Sequence, residues 1–293
     1  MKIGVDVGGS HISVGVISDE GKILSKQEKD LFFTNEDKEL LIRDTIVSLI
    51  NNALRRINIP IFLIEKIGIG IPGEVQENKV KKCTKFEIFD WDLASDLEDF
   101  YKVKVVLSND GYLAALAEKR FGNLAGEERA VFLCIGTGIG SAIINKGNVI
   151  PSEIGHTIIK EDGNICNCGR QGCYETYASM KVFKQNIIRI LGLKENTTSE
   201  EIANNIRAKV NEIDELNKYI DEYIEYLEVG IANIINTIHP DTVCIGGGFV
   251  YFQDILFERL QDRIASQTYK FNKPKLILAR LGNDAGVIGA TLI

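Results

Sequence analysis

Val105-Val106-Leu107-Ser108-Asn109-Asp110-Gly111 is a short apolar run that ends on a carboxylate. The residues after it, Tyr112-Leu113-Ala114-Ala115-Leu116-Ala117-Glu118, are good helix formers, so Asp110 is expected where a strand hands over to a helix. Helix N-termini carry unpaired N–H groups and a positive partial charge, which hold an acid in place and keep it ionised. An Asn-Asp pair at such a junction has two readings. Both residues are favoured helix caps, and a carboxylate there can also act as a base.

Working outward, residues 2–17 read as strand, glycine turn, strand: KIGVDV, then Gly8-Gly9-Ser10, then HISVGVI. Asp19-Glu20-Gly21 is a hairpin turn, and residues 22–30 form a third strand. Residues 36–57 carry Leu40, Val47, Ile50, Leu54 and Ile57 at the spacing of an amphipathic helix. Residues 66–71 form a strand that runs into Pro72-Gly73, Cys83 falls in a Lys-rich loop, and residues 93–101 form a short helix. The second half begins as the first does, with a strand at 129–135, the turn Gly136-Thr137-Gly138-Ile139-Gly140, a returning strand at 141–145 and the turn Lys146-Gly147-Asn148. DVGGSHISVGVISDEGK and CIGTGIGSAIINKGN follow one plan, a weak internal repeat. Helices are expected at 175–191, 198–209 and 215–238. A strand at 242–245 ends in Gly246-Gly247-Gly248, a helix reaches Ser266, and a strand at 275–279 and a helix from Ala285 close the chain. Strands alternating with helices define the α/β class.

At 293 residues there is room for two domains, with a boundary expected between residues 123 and 128. Apolar content of 45% and charged content of 26% describe a globular protein. A net charge of −7 argues against a nucleic-acid partner, which would need a basic face. The first six residues enter a strand without signal-peptide anatomy. The longest uncharged run, 130–144, is broken by glycine and shorter than the roughly 20 residues of a membrane span, so a cytoplasmic protein with no membrane partner is expected.

Three glycine turns, Gly8-Gly9-Ser10, Gly136-Thr137-Gly138 and Gly246-Gly247-Gly248, each follow an apolar strand. Glycine lets backbone N–H groups approach an anion, and successive amides form a phosphate nest. Neither a P-loop nor the dinucleotide fingerprint is present, since the second turn returns to a strand instead of opening a helix. Cys134 and Cys244 read as small core residues. Cys166, Cys168 and Cys173, with His156 ten residues upstream, supply three thiolates and an imidazole, a set that suits a closed structural zinc; a redox pair or free thiols is the other reading. Glu153 and Glu175 flank this cluster and would be held rigidly by it.

Together these residues resemble the ROK family (repressor, open reading frame, kinase) within the actin-like ATPase superfamily. The strongest pieces are E-I-G-H at 153–156 and C-N-C-G-R-Q-G-C-Y-E at 166–175. D-V-G-G-S, G-I-P-G at 70–73, N-D and G-T-G-I-G fall in the family's order. The resemblance implies a two-lobed actin-like (ribonuclease H-like) fold, each lobe a mixed sheet flanked by helices: 1–122, and 123–284, with 285–293 packed on the first. It implies an ATP-dependent hexose kinase, most simply acting on the 6-OH of glucose, with N-acetylmannosamine, N-acetylglucosamine, fructose and allose open. Asp110 would be the general base. Gly73, Asn109, Glu153, His156 and Glu175 would meet the sugar. Gly8, Gly9, Ser10, Gly136, Thr137 and Gly138 would hold phosphates, Gly246, Gly247 and Gly248 would lie near adenosine, and Asp6 would organise Mg²⁺. His156, Cys166, Cys168 and Cys173 would hold Zn²⁺, and the assembly would be a homodimer. Some members are sugar-responsive repressors whose helix-turn-helix precedes the D-x-G-G motif; Asp6 stands too early here for one. The chain departs from the pattern at Ser10, at Gly111-Tyr112, and at Ser141-Ala142, where further glycines are common.

Overall fold

The structure, a computed structural model, describes residues 1–9, 11–33, 37–266 and 273–293. Within them the chain divides into two compact units, Met1–Ala125 with Asn283–Ile293, and Gly126–Gly282.

In the first unit, β1 (Lys2–Val7), β2 (His11–Ile17) and β3 (Ile23–Asp30) form an antiparallel meander, followed by helix α1 (Lys38–Arg56). The helix begins two residues later than expected. Asp37 caps it by accepting from the Glu39 and Leu40 N–H groups at 3.0 and 3.3 Å, and Glu36 lies outside the described residues. Strand β4 (Lys66–Ile71) leads into a small antiparallel sheet of β5 (Glu74–Gln76), β6 (Lys79–Cys83) and β7 (Ile88–Trp91), followed by α2 (Leu93–Tyr101), β8 (Lys104–Asn109) and α3 (Asp110–Phe121). The main sheet runs β3-β2-β1-β4-β8, with β1, β4 and β8 parallel. Its central strands read as nearly unbroken apolar runs and are buried, as strands covered on both faces must be. Helix α1 buries Ile42, Ile46, Leu49, Ile50 and Ala53, the three-and-four spacing of one face, in the same core as Val14 and Val16.

The loop expected around Cys83 is the small sheet instead. Cys83 is fully buried at the end of β6, together with Val80, Ile88 and Trp91, while Lys79 and Lys81 face outward toward acids in and just after β7: Lys79 to Asp92 at 2.5 Å and Lys81 to Asp90 at 3.0 Å. A strand in which alternate positions are lysine conceals its apolar side from a reading by composition. The sheet also protects the edge strand β8, whose Val105 C=O and Leu107 N–H are taken by Asn78 at 2.9 and 2.7 Å.

The second unit repeats the plan. Strands β9 (Arg129–Ile135), β10 (Ile139–Asn145) and β11 (Asn148–Ser152) form a meander. Then come α4 (Glu175–Ala178), α5 (Met180–Leu191), α6 (Ser199–Lys209), α7 (Asp214–Ile238), β12 (Thr242–Gly246), α8 (Gln253–Ser266) and β13 (Lys275–Leu278). The sheet order β11-β10-β9-β12-β13, with β9, β12 and β13 parallel, reproduces the order and directions of the first. The internal repeat is thus a repeat of topology. The single helix expected over 175–191 is broken at Ser179, whose extended backbone (ψ 153°) lets its hydroxyl cap α5 at the Val182 N–H. After the third glycine turn a 3₁₀ segment, Gly247–Phe252, precedes α8. Among the described residues, no helix is long and apolar enough to cross a membrane.

The last helix, α9 (Ala285–Ala290), belongs to the first unit and lies on β1, β2 and β4. Gly15, Gly4 and Gly68 are register partners across those three strands. A Cβ at Gly4 would fall on the Val287 carbonyl, and one at Gly68 on the Ala290 carbonyl. This row without side chains lets a helix backbone rest directly on the sheet.

Candidate active site

In the first unit the expected residues gather at the C-terminal ends of three adjacent parallel strands, the usual place for a ligand in an open α/β sheet. Asp6, Gly70 and Ser108 are in register on β1, β4 and β8. Gly8 and Gly9 follow β1, Gly73 follows β4, and Asp110 follows β8. Ser10 lies outside the described residues. Gly73 has φ +115°, and a Cβ there would strike the Lys82 carbonyl, so only glycine fits this turn.

The two readings of Asn109-Asp110 separate cleanly. Asn109 is the cap: its Oδ1 accepts from the Gly111 and Tyr112 N–H groups at 3.0 and 3.4 Å, and its Nδ2 donates to the Gly73 carbonyl at 3.1 Å. Asp110 is thereby the first helical residue and is relieved of the capping role, its Oδ1 accepting from the Gly111 N–H at 2.8 Å. Burial raises the Asp110 pKa above the usual carboxylate range, opposed by the Gly111 N–H and by the charge of Lys85.

Asp6 is raised further, to about 7, first by burial and then by the charge of Asp110, with Lys26 opposing and Glu28 adding. Gly286, at the start of α9, sits so close that a Cβ would meet the Asp6 carboxylate. Lys26 is itself held at 2.7 Å from Asp284 and 2.8 Å from Glu28. Two carboxylates in one partly buried site suit a divalent cation, which would favour the ionised form of both. A carboxylate whose folded pKa lies above its unfolded one weakens the fold as it ionises. Between the unfolded value near 3.8 and about 7 the unfolded chain has lost the proton and the folded one keeps it. The ligand-free protein is therefore expected to lose stability as pH rises from about 4 to about 7, by at most ~4 kcal/mol from this group. Asp6→Asn should flatten that slope in urea titrations, and an unchanged slope would show that Asp6 is not the group responsible.

In the second unit the second and third glycine turns follow the adjacent parallel strands β9 and β12 and pack together. Gly247 has φ +73° and no room for a Cβ beside Ile135, which leads into Gly136. Thr137 is exposed at the tip, and the Gly136 N–H bonds the Gly138 carbonyl at 2.9 Å. Glu175 opens α4 with its carboxylate against this turn: Oε2 accepts from the Ile139 N–H at 3.3 Å, and a Cβ at Gly138 would collide with it.

Glu175 also reaches the cysteine knuckle. Its Oε1 lies 3.1 Å from Cys166 Sγ and 3.5 Å from His156 Nδ1. The donor atoms of His156, Cys166, Cys168 and Cys173 lie within 4.8 Å of one another. His156 Nδ1 is 3.5 Å from Cys166 Sγ, and the Cys168 and Cys173 sulfurs are 3.6 Å apart. Donors about 2.3 Å (sulfur) and 2.0 Å (nitrogen) from one tetrahedral ion stand ~3.4–3.8 Å from each other, so these two pairs already match, and the wider separations, up to 4.8 Å, would draw in by about 1 Å around such an ion. Burial opposes ionisation at Cys168, yet the Arg170 N–H and side chain, with the neighbouring thiols, bring its pKa down to about 6. The other ring nitrogen of His156, Nε2, faces the exposed carboxylate of Glu153 at 3.9 Å.

Two further residues acquire a role only from the fold. Ser141 is buried, and its hydroxyl donates to the Ser152 carbonyl at 2.8 Å and accepts from the Ile154 N–H at 3.0 Å. It anchors the segment that carries Glu153 and His156. A hydroxyl where glycine is common thus has a structural use. Lys85 lies over Gly9, in a turn where no sequence pattern marks it.

A sequence model of the ROK family matches residues 2–293. The chain is 29% identical to a glucokinase of Thermotoga maritima over 99% of this chain and 96% of that protein. It is 27% identical to a xylose repressor of Bacillus subtilis, over 99% of this chain and 76% of the repressor. It superposes with a TM-score of 0.81 on a ROK family glucokinase from Streptomyces griseus solved with glucose and AMPPNP, at 26% identity, covering 99% of this chain and 97% of that one. The chain belongs to the ROK family, and its two repeated sheets are those of the actin-like ATPase fold.

Proposed function

We propose that the chain is an ATP-dependent hexose kinase with Asp110 as general base. The observation that carries this reading is the division of labour at the β8–α3 junction: Asn109 caps the helix, and Asp110, its pKa raised by burial, stands at the same end of the sheet as the first glycine turn. A base is most effective when its pKa approaches the working pH.

In the proposed step a sugar hydroxyl oxygen attacks the terminal phosphorus of ATP, and its proton passes to Asp110. The bond to the bridging oxygen breaks, and its electron pair leaves on ADP. Phosphoryl transfer of this kind depends on positioning and charge neutralisation more than on covalent help. Asn109, Glu153, His156 and Glu175, with Gly73, bind the sugar hydroxyls. Gly8, Gly9, Ser10, Gly136, Thr137 and Gly138 bind phosphates, Gly246, Gly247 and Gly248 adjoin adenosine, and Asp6 positions Mg²⁺. A zinc ion held by His156, Cys166, Cys168 and Cys173 is structural: four protein donors leave no open position for an activated water. Likeness to glucokinases puts glucose first among substrates.

ADP release measured with glucose, fructose, allose, N-acetylglucosamine and N-acetylmannosamine tests this, and glucose is expected to give the highest kcat/KM. Release with none of them, together with sugar-reversible operator binding in a gel shift, would transfer the reading to a regulator of the kind the xylose repressor represents.

A further inference from the structure

Of the lysines at 79, 81, 82 and 85, Lys79 is paired with Asp92, the cap of α2, and Lys81 with Asp90 of β7. Lys85 lies in the turn between β6 and β7, closed by the Phe86 N–H on the Cys83 carbonyl at 3.2 Å and the Glu87 N–H on the Thr84 carbonyl at 3.3 Å. That turn sends its side chain to the first glycine turn, where a Cβ added to Gly9 would coincide with the Lys85 ammonium and the carbon next to it. The lysine head therefore lies directly against the Gly9 backbone, where an anion would approach. Its positive charge also acts on Asp110 and Cys83, opposing the rise that burial causes at both. Residue 85 is exposed overall, its ammonium carried on a long, flexible stem.

We propose that Lys85 is a phosphoryl-binding residue of this site: its ammonium neutralises oxygens of the transferring group while the hydroxyl proton moves to Asp110. The assignment rests on the kinase reading. A cation at this point serves both partners of the reaction. It stabilises charge spread over the phosphoryl oxygens, and it favours the ionised form of Asp110 that a base requires. Neither role adds or removes a bond at Lys85, which stays protonated throughout.

The test is steady-state kinetics of the full chain as wild type, Lys85→Met and Lys85→Arg, with thermal melts to confirm folding. Lys85→Met is expected to lower kcat by roughly 10², the cost of losing one preorganised donor. The KM for hexose should stay within about threefold, since ground-state sugar binding is untouched. Lys85→Arg should recover part of the loss. Because Lys85 lowers the Asp110 pKa, its removal should move the acid limb of the kcat/KM profile to higher pH, which a purely structural lysine would not do. A second arm needs no turnover: Mg-AMPPNP should slow acetylation of Lys85 in the wild type, read by mass spectrometry. A wild type that phosphorylates a hexose, with Lys85→Met matching its kcat and acid limb, overturns the assignment and leaves the kinase reading standing. A wild type that phosphorylates nothing overturns the kinase reading, and the acetylation arm then decides Lys85: nucleotide protection supports the phosphoryl contact, and its absence overturns it.

Discussion

Asp110→Asn is expected to lower kcat by about 10²–10⁴, the range a positioned general base contributes, while sugar and nucleotide still bind. The substitution is well matched to the site. The amide oxygen can keep the Gly111 N–H bond that Asp110 Oδ1 makes at 2.8 Å, and the helix keeps its cap because that belongs to Asn109. What is lost is the negative charge and with it the ability to accept a proton. Removing that charge also relieves Asp6, whose pKa is raised in part by Asp110, so Asp6 should ionise at lower pH in the variant. Calorimetric titration of glucose and of Mg-AMPPNP, beside a coupled ADP-release assay, separates binding from turnover. A variant with kcat within about threefold of wild type would remove Asp110 from the role of base.

Loss of the metal donors is expected to be felt far more widely. From residue 157 to residue 172, only Cys166 and Gly172 are buried, and Ile158 and Ile165 are 56% and 79% exposed. A segment with so little apolar burial has no core of its own to hold it. Its order is maintained by short backbone bonds, such as Cys166 N–H to Arg170 C=O at 2.8 Å and Tyr174 N–H to Thr157 C=O at 2.8 Å, and by the four converging donors. Structural zinc contributes ~10–16 kcal/mol to folding in small metal-dependent domains, so Cys173→Ser or chelation should release this segment. Glu175, which touches both Cys166 and the second glycine turn, should lose its position too. The KM for sugar is expected to rise at least 10- to 100-fold. Elemental analysis should find one zinc per chain, and protease sensitivity should appear between residues 157 and 172 when it is removed. A chain without zinc whose sugar affinity and proteolysis ignore chelators would refute the assignment.

Much of this was legible in the sequence because the signals were local. The handover at Asp110 combines an apolar run, a capping residue and helix formers, all within a few residues. The topological repeat showed itself because strand, glycine turn and strand each carry their own pattern, and the donor set because zinc requires particular residue types close together. Other features depend on what lies opposite. The lysines of β6 read as a loop because the acids that pair with them, Asp90 and Asp92, lie in and just after the next strand. Ser179 reads as one more helical position because nothing nearby in the chain shows that its hydroxyl will be turned onto the Val182 N–H. Ser141 and Lys85 acquire their uses only when Ile154 and Gly9 are brought beside them.

The bare row of Gly15, Gly4 and Gly68 ties residues 4–68 to residues 285–290. Until residues 285–290 settle on it, the sheet presents a trough that water must fill, and the lid over Asp6 formed by Gly286 is missing. A ribosome therefore releases the first 125 residues long before the piece that finishes their unit exists. Sequence separation of this order makes closure slow, so the second sheet has time to assemble while the first waits. On this account the acid pair takes shape only after residues 285–290 have been made, later than either sheet's strands.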